Sequence, residues 1–516
     1  MQATNPFLVK FASSLIAVLP CHDRVIFKGH LPFSDEAHRN RFVDGTLCIP
    51  RKDFLPFVER QSERLVTHAK EFAARHRAPY LYLQGRHRKD DLVREQIRAR
   101  RLSEGLVCIL CCQETCRTVK LRYGEGRPRL AFTCRPQRVL YYYFLDPQLG
   151  LRHVRVQTWF PFTTQVYVNG HDWLARQLHA AGSGFVQQDN AFTQLDDPTR
   201  ARSLAERFPR LGWVQILDRW AREVNPLLGE PWLRGQGYYW VIDQAEYSTD
   251  VLFRDRQALA DLYPQLLDHA CLNFSAQDIL AFLGRRLHPR FDGEVLTDCK
   301  KDRWPGARVK HRVKNNWLKM YDKFGQVLRI ETVINQPREF KVRRRRQRQG
   351  RSQMVWCPMN KGVANFYHYH EVARAANERY LSALAVVHRP QASLKVLEQV
   401  QRPARAGRRR RRGLNLLGKA EQKLFQAVLR GEHHINGFRN RDIQAVFFPT
   451  RAKDVRERRR RTAHVSRLLH LLRAHGLIAK VPHAHRYRAT AKGETLMSAA
   501  IYARCKVFPK ELQGVA

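Results

Sequence analysis

The sequence predicts an α+β, multidomain chain: a mixed body with a basic antiparallel sheet, then a C-terminal segment of three helices and a two-stranded hairpin. Three observations predict it. At 516 residues the chain exceeds what one simple hydrophobic core organises. Between Arg308 and Ile334 apolar and polar residues alternate with the period of strands, whereas beyond residue 413 they recur with the period of helices. The third is charge: 92 Lys and Arg stand against 47 Asp and Glu, a formal +45. Such an excess points to a polyanionic partner, and nucleic acid fits better than a membrane. No run of about 18 apolar residues is present to span a bilayer. The basic residues also sit in strands and separate blocks, not on one apolar-backed helix.

Taken in order, residues 1–140 read as a mixed α/β region. The opening NPFLVKFASSLIAVLPCHDR is interrupted by Lys10 and lacks a positive leader and a small-x-small cleavage site. It reads as a short amphipathic helix, and the protein as cytoplasmic and nucleoid-associated. A strand over Arg24–Lys28 ends at Gly29. Helices follow at Phe54–Arg77 and Asp90–Arg101, then strands at Gly105–Leu121 and Arg129–Phe144. The central α+β region, 141–350, adds strands at Val154–Phe160, Thr164–Val168 and 238–250, with helices between and after them. Ser275 is the expected cap of the helix Ser275–Leu287. Residues 351–413 supply a helix, Tyr367–Val387, and an arginine-rich linker, Gln391–Gly413, whose like charges repel and favour disorder. The last region is 414–516.

The richest stretch is a hairpin, Trp317–Asp322 and Gln326–Ile334, joined by Lys323-Phe324-Gly325. A three-residue loop with glycine third predicts a type I turn followed by a left-handed residue. That register puts Met320, Leu328, Leu318 and Ile330 on the core side and Tyr321, Lys319, Arg329 and Glu331 together on the other. The preceding Arg308, Lys310, Arg312 and Lys314 alternate with Val309, His311 and Val313, so a cationic, phosphate-contacting face is expected.

Cys108, Cys111, Cys112, Cys116 and Cys134 have the count for a metal, but they lie in an apolar strand with no glycine knuckle. Zinc is therefore not expected, and small core thiols are. Eleven cysteines, odd in number, fit reduced thiols better than a disulfide framework. His368-Tyr369-His370 opens a helix, where residues two apart diverge by about 200°, so the pair does not form a shared metal face. Among carboxylates, Glu331 is the best metal candidate. Glu294 and Asp298 on the preceding strand are the expected companions for Mg²⁺ or Mn²⁺, and Glu246 and Asp250 stand at the end of the aromatic strand 238–250. The alternative, that these acids only neutralise neighbouring Lys and Arg, stays open.

At the C-terminus, helices Ala420–Leu429, Arg439–Phe447 and Thr462–His475 precede GLIAKV and HRYRAT, and a further helix starts at Ala491. This pattern, with SRLLHLLRAHGLI…YRATAKG, resembles the MarR-like winged-helix family over about a fifth of the chain. The resemblance implies that His464 and Arg467 face bases, that Arg459, Arg460 and Arg461 contact phosphates, and that Arg486 and Arg488 lie on the wing. LKMYDK…LRIE resembles the hairpin of rolling-circle replication initiators and relaxases, which implies Tyr321 as nucleophile beside a metal. The whole chain resembles a group of bacterial proteins associated with mobile elements. Two functions follow as expectations. One is a metal-dependent nickase in which Glu331 holds the metal and Lys319 and Arg329 clamp phosphate. The other is a non-catalytic DNA regulator or binder of structured RNA.

Overall fold

The first strand, β1 (Leu15–His30), turns its odd-numbered residues inward, so that Leu19, Cys21, Val25 and Phe27 are buried, with His22 buried on the opposite face. The computed structural model describes residues 5–34, 36–83, 88–123, 128–233, 235–288, 291, 293–300, 307–348, 351–387, 399–406, 409–416, 418–450, 452–482, 484–502 and 504. The next strands are β2 (Tyr80–Tyr82), β3 (Gly105–Arg122), β4 (Arg129–Asp146), β5 (Gly150–Gln157) and β6 (Thr164–Asn169). They are followed by β7 (Phe185–Gln188), β8 (Ala191–Leu195), β9 (Tyr239–Phe253), β10 (Val295–Lys300), β11 (Arg308–Val313), β12 (Asn316–Lys323) and β13 (Val327–Ile334). The last are β14 (Lys341–Arg348), β15 (Arg351–Pro358), β16 (Ala404–Ala406), β17 (Arg409–Arg411), β18 (Ile478–Lys480) and β19 (Tyr487–Ala489). The fold is α+β.

The chain divides into two compact units drawn from separated stretches. The body unit is Val18–Asp250 with Thr332–Ala373, and the C-terminal unit is Met1–Ala17, Val251–Glu331 and Arg374–Ala516. Among the described residues no helix is long and apolar enough to cross a membrane.

In the body unit the strand order is β9-β1-β6-β5-β4-β3-β2. The sheet is mixed: β2 runs parallel to β3, while β3/β4, β4/β5, β5/β6 and β1/β6 are antiparallel. One core cluster joins Val93, Cys108, Cys112, Cys116, Val139 and Tyr143. Cys111 has the opposite strand parity, and residues four apart on a strand stand about 13 Å apart. Cys108, Cys112 and Cys116 therefore pack as core thiols and Cys111 is buried as well, whereas Cys134, expected in the core with them, is exposed. Burial pushes Cys108 up to about 12 and Cys112 up to about 11, which keeps both protonated. The arginine run that includes Arg343 and Arg345 lies in β14, paired along its length with β15.

In the C-terminal unit the order is β10-β11-β12-β13. Val309, Leu318, Met320, Leu328 and Ile330 are buried, as the alternation predicts. Behind them His311 is fully buried, hydrogen-bonded to Thr297 Oγ1 and Tyr380 Oη at 2.9 Å each. Ser275 caps the helix Ala276–Phe282 in a reciprocal box with Asp278.

The β12–β13 loop differs from the expected type I geometry. Phe324 (φ 60°) shares positive φ with Gly325 (φ 71°), and Gln326 N donates to Lys323 O at 3.2 Å. Two successive positive φ values mark a type I′ turn, which matches strand twist. The Gly325 amide is held by Asp322 Oδ1 at 3.0 Å.

Beyond the linker, helices Lys419–Val428, Gly431–Asn436, Asn440–Phe447 and Val455–Ala474 precede the β18–β19 hairpin, and a helix Ala491–Tyr502 follows. Phe425, Phe438, Ile443, Val465, Leu469 and Leu472 form their common core. Phe438 bridges Tyr487, adding a short third strand beside the hairpin. In the linker, β16 pairs with β17 where disorder was expected, while residues 391–398, 407 and 408 lie outside the described residues.

Candidate nucleic-acid interface and carboxylate clusters

On the C-terminal unit, sheet register assembles one polar face. Arg308 pairs with Tyr321, Lys310 with Lys319, and Arg312 with Trp317. Lys310 Nζ lies 3.8 Å from the Trp317 ring centroid and Lys319 Nζ 5.7 Å, so the indole is flanked by two ammonium groups. Trp317 was not among the residues expected from sequence, although its parity with Lys319 and Tyr321 is legible there. Partial burial and the charges of Lys319, Arg308 and Arg312 lower the Lys310 pKa, with Asp298 opposing. Lys314 leaves this row. It sits in the β11–β12 turn at φ 52°, and its carbonyl accepts from Arg312 Nε at 2.8 Å.

Three of the four expected catalytic residues meet. Lys319 Nζ donates to Glu331 Oε1 and Tyr321 Oη donates to Glu331 Oε2. Glu331 is buried, Lys319 and Tyr321 half-buried. Arg329 is fully buried, so its guanidinium is not part of an open phosphate clamp. Glu294 and Asp298 do not join Glu331. Both are exposed, Asp298 on edge strand β10 opposite Lys310, with β11 and β12 intervening before β13. The expected metal set Glu331, Glu294 and Asp298 therefore does not converge, because parity places residues on a face but says nothing of strand order.

The helix expected at Thr462–His475 begins at Val455, seven residues before the expected start, and is the fourth helix of the segment. Asp454 caps it by accepting from Glu457 N at 2.6 Å. Arg459, Arg460 and Arg467 are exposed, as are Arg456 and Arg458 in the added turns. Arg461 turns inward: Nη2 bonds Glu457 Oε1 at 2.7 Å, Nη1 bonds Thr450 O at 2.5 Å, and the guanidinium lies 4.9 Å from the Phe448 ring centroid. His464 is half-buried against Phe447 and Phe448. Arg488 is exposed on β19, whereas Arg486 is half-buried just before it.

The body unit holds a second cluster, of which the sequence singled out only Glu246 and Asp250. Asp23 Oδ1 accepts from Asn169 Nδ2 at 2.9 Å, and Asn190 Nδ2 reaches Oδ2 at 2.7 Å. His171 lies between two carboxylates, Nδ1 3.8 Å from Asp23 Oδ1 and Nε2 3.6 Å from Asp250 Oδ2. Ser248 Oγ is 3.4 Å from His171 Nε2. Glu246 Oε1 accepts from Arg24 Nη2 at 2.6 Å and from Gln244 Nε2 at 2.7 Å. Asp23 and Glu246 can offer ligand oxygens within 4.8 Å of each other. All four ionisable groups Asp23, His171, Glu246 and Asp250 are buried. Asn169 also caps the helix Gly170–Ala180. Gly170 permits that approach, since a Cβ there would meet His22 O at 2.3 Å. In the His368–His370 pair, His370 packs on His22 and Tyr247 while His368 bonds Glu371 at 3.3 Å, so the two imidazoles diverge as helix geometry predicts.

No protein-family model matches the chain, and none of the curated proteins does. Among solved structures it is similar to the di-domain ARO/CYC BexL from the BE-7585A biosynthetic pathway, at 11% identity and a TM-score of 0.12 over 57% of this chain and 91% of that one. A similarity this low carries no argument about fold or function.

Proposed function

We propose that the chain is a DNA-binding protein of a bacterial mobile or replicative element, engaging duplex through the helix Val455–Ala474. The observation that supports this reading is an arginine stripe. Arg456, Arg460 and Arg467 are all exposed and fall within about 40° of one line at 100° per residue, opposite buried Val465. A groove-entering helix needs that division: apolar residues fixed in the domain, cations and donors turned outward. Arg488 on the hairpin supplies a further cation where a wing meets the backbone. The Lys310–Trp317–Lys319 face offers cations and an aromatic ring for phosphate and base stacking. DNA binding in a nucleoid-associated, cytoplasmic setting follows from the same chemistry. Anisotropy titrations of the full chain with duplex DNA and with structured RNA test the reading. Preference for duplex DNA that collapses in Arg460→Ala/Arg467→Ala supports it, and preference for RNA would replace it.

A second reading, strand nicking, is favoured by the Tyr321–Glu331 contact. A phenol hydrogen-bonded to a carboxylate is placed to lose its proton as it attacks phosphorus, with Lys319 beside the pair. The body cluster suits a divalent ion in its donor set, because Asp23 and Glu246 offer the hard oxygens that Mg²⁺ and Mn²⁺ prefer. A bound ion would supply Lewis-acid activation of a phosphoryl oxygen. A tyrosine–DNA adduct that disappears in Tyr321→Phe is the test of this reading.

A further inference from the structure

The structure assigns a phosphomonoester-binding site to a polar cavity of about 350 Å³ on the body unit, lined by Lys28, Arg117, Arg155, His30 and Glu114. This site is independent of the DNA-binding reading and uses none of its residues.

Strand register builds the wall. Lys28 pairs with Gln165, Gln165 with Arg155, and Arg155 with Tyr141, so one cross-strand row runs from β1 to β4. Directly opposed side chains share a face about 5 Å apart, which brings an ammonium, an amide, a guanidinium and a phenol into line. Arg117 and His30 join from neighbouring positions.

Three cations thus face one acid, and that acid is already engaged. Glu114 accepts from Tyr141 Oη at 2.7 Å, from Arg155 Nε at 3.0 Å and from Lys89 Nζ. Burial works to raise its carboxyl, but the hydrogen bonds from Lys89 and Tyr141 and the charges of Arg155 and Lys89 hold it down at about 2. Its role is to orient Arg155, which is 9% exposed. The cavity keeps a net positive field. His30 stands beside it as a neutral imidazole: burial first, then the charge of Lys28, lower its pKa to about 4, with Asp243 opposing.

A small, partly enclosed space with two guanidinium groups, an ammonium and a neutral imidazole suits a compact dianion better than a monoanionic carboxylate. Its volume lies at the lower end for small-molecule sites, enough for a phosphate with part of its sugar. A terminal phosphate has two sources, a free nucleotide or a strand end.

The test uses the full-length chain with ¹³C-labelled histidine, the His30 resonance being assigned by its loss in His30→Gln. Probes are 5′-AMP, adenosine, and a dinucleotide with a 5′-phosphate or a 5′-hydroxyl. A saturable His30 shift with 5′-AMP, with the 5′-phosphorylated dinucleotide, or with both supports the site and names the source. Affinity should fall at least tenfold in Lys28→Gln, and likewise in Arg117→Gln, both of which leave the buried Arg155–Glu114 pair in place. No shift with either phosphate, an equal shift with adenosine or the 5′-hydroxyl dinucleotide, or affinity unchanged in both variants overturns it.

Discussion

Tyr321 donates its phenolic hydrogen to Glu331 Oε2 while Lys319 occupies Oε1. The carboxylate is therefore placed as a proton acceptor for a tyrosine, a role beside the metal ligation expected of Glu331 from sequence. If Tyr321 attacks phosphorus, Glu331→Gln should slow adduct formation by about 10²–10⁴-fold, the usual worth of a general base. Binding should change little. The measurement is labelled DNA retained by protein on a denaturing gel. A wild-type chain that binds DNA but never forms the adduct, with Mg²⁺ or Mn²⁺ present, ends the nicking reading.

The same contact has a structural consequence. Lys319→Met removes the cation from a buried carboxylate, and leaving such a group short of a partner costs about 1–3 kcal/mol. Urea denaturation should show a lowered midpoint with unchanged slope. A midpoint equal to wild type would mean that the Lys319 contact adds nothing to the Tyr321 hydrogen bond in holding Glu331.

Much of this hairpin was legible in the sequence because strand parity is a local property. Gly325 marks the turn, and alternation separates Leu318 and Met320 from Lys319 and Tyr321. Phe324 at positive φ was not legible, since a bulky residue there opposes its own backbone preference. Arg329 shares the hairpin's alternation yet is fully buried. Parity assigns a face, but which face is covered depends on elements far along the chain. The body cluster was only half legible for a similar reason: Glu246 and Asp250 share one strand, whereas Asp23 and His171 come from distant stretches and meet them only through the fold. The start of the helix Val455–Ala474 was different. Asp454 followed three residues later by Glu457 is a local capping signal, hidden by the arginine run that reads as a solvated block.

The body cluster carries a metal prediction. Titration of the full chain with Mn²⁺, followed by electron paramagnetic resonance, should show a saturable site that Asp23→Asn weakens at least tenfold. Glu246→Gln should act likewise, because both residues contribute oxygens. Equal Mn²⁺ binding in both variants would make Asp23 and Glu246 purely structural acids, held by Asn169, Asn190 and Arg24.

DNA binding should be steeply salt-dependent. Each phosphate contact contributes a log–log slope of about −0.9 on duplex DNA. Arg456→Ala, Arg460→Ala and Arg467→Ala together should make the slope shallower by about 2–3, whereas Arg461→Ala should mainly lower stability, since Arg461 is engaged with Glu457 and Thr450. Anisotropy titrations between low and moderate salt read the slope directly. A triple variant with the wild-type slope would move the DNA contact elsewhere.

Stability of the C-terminal unit should fall as pH rises toward neutrality. Burial first, then the charges of Asp278 and Asp442, raise the Glu432 carboxyl to about 7, with Arg430 opposing and His433 adjacent. A group whose folded pKa is raised is bound to its proton more tightly in the folded state. Its contribution is therefore full below the unfolded value near 4.5 and is lost as pH rises through about 7. The Tm of the wild-type chain should drop between about pH 4.5 and 7, and Glu432→Gln, which keeps the neutral shape, should flatten that drop. Thermal melts across this window decide it: an unchanged profile in Glu432→Gln would show that Glu432 ionises freely and that another group sets the dependence.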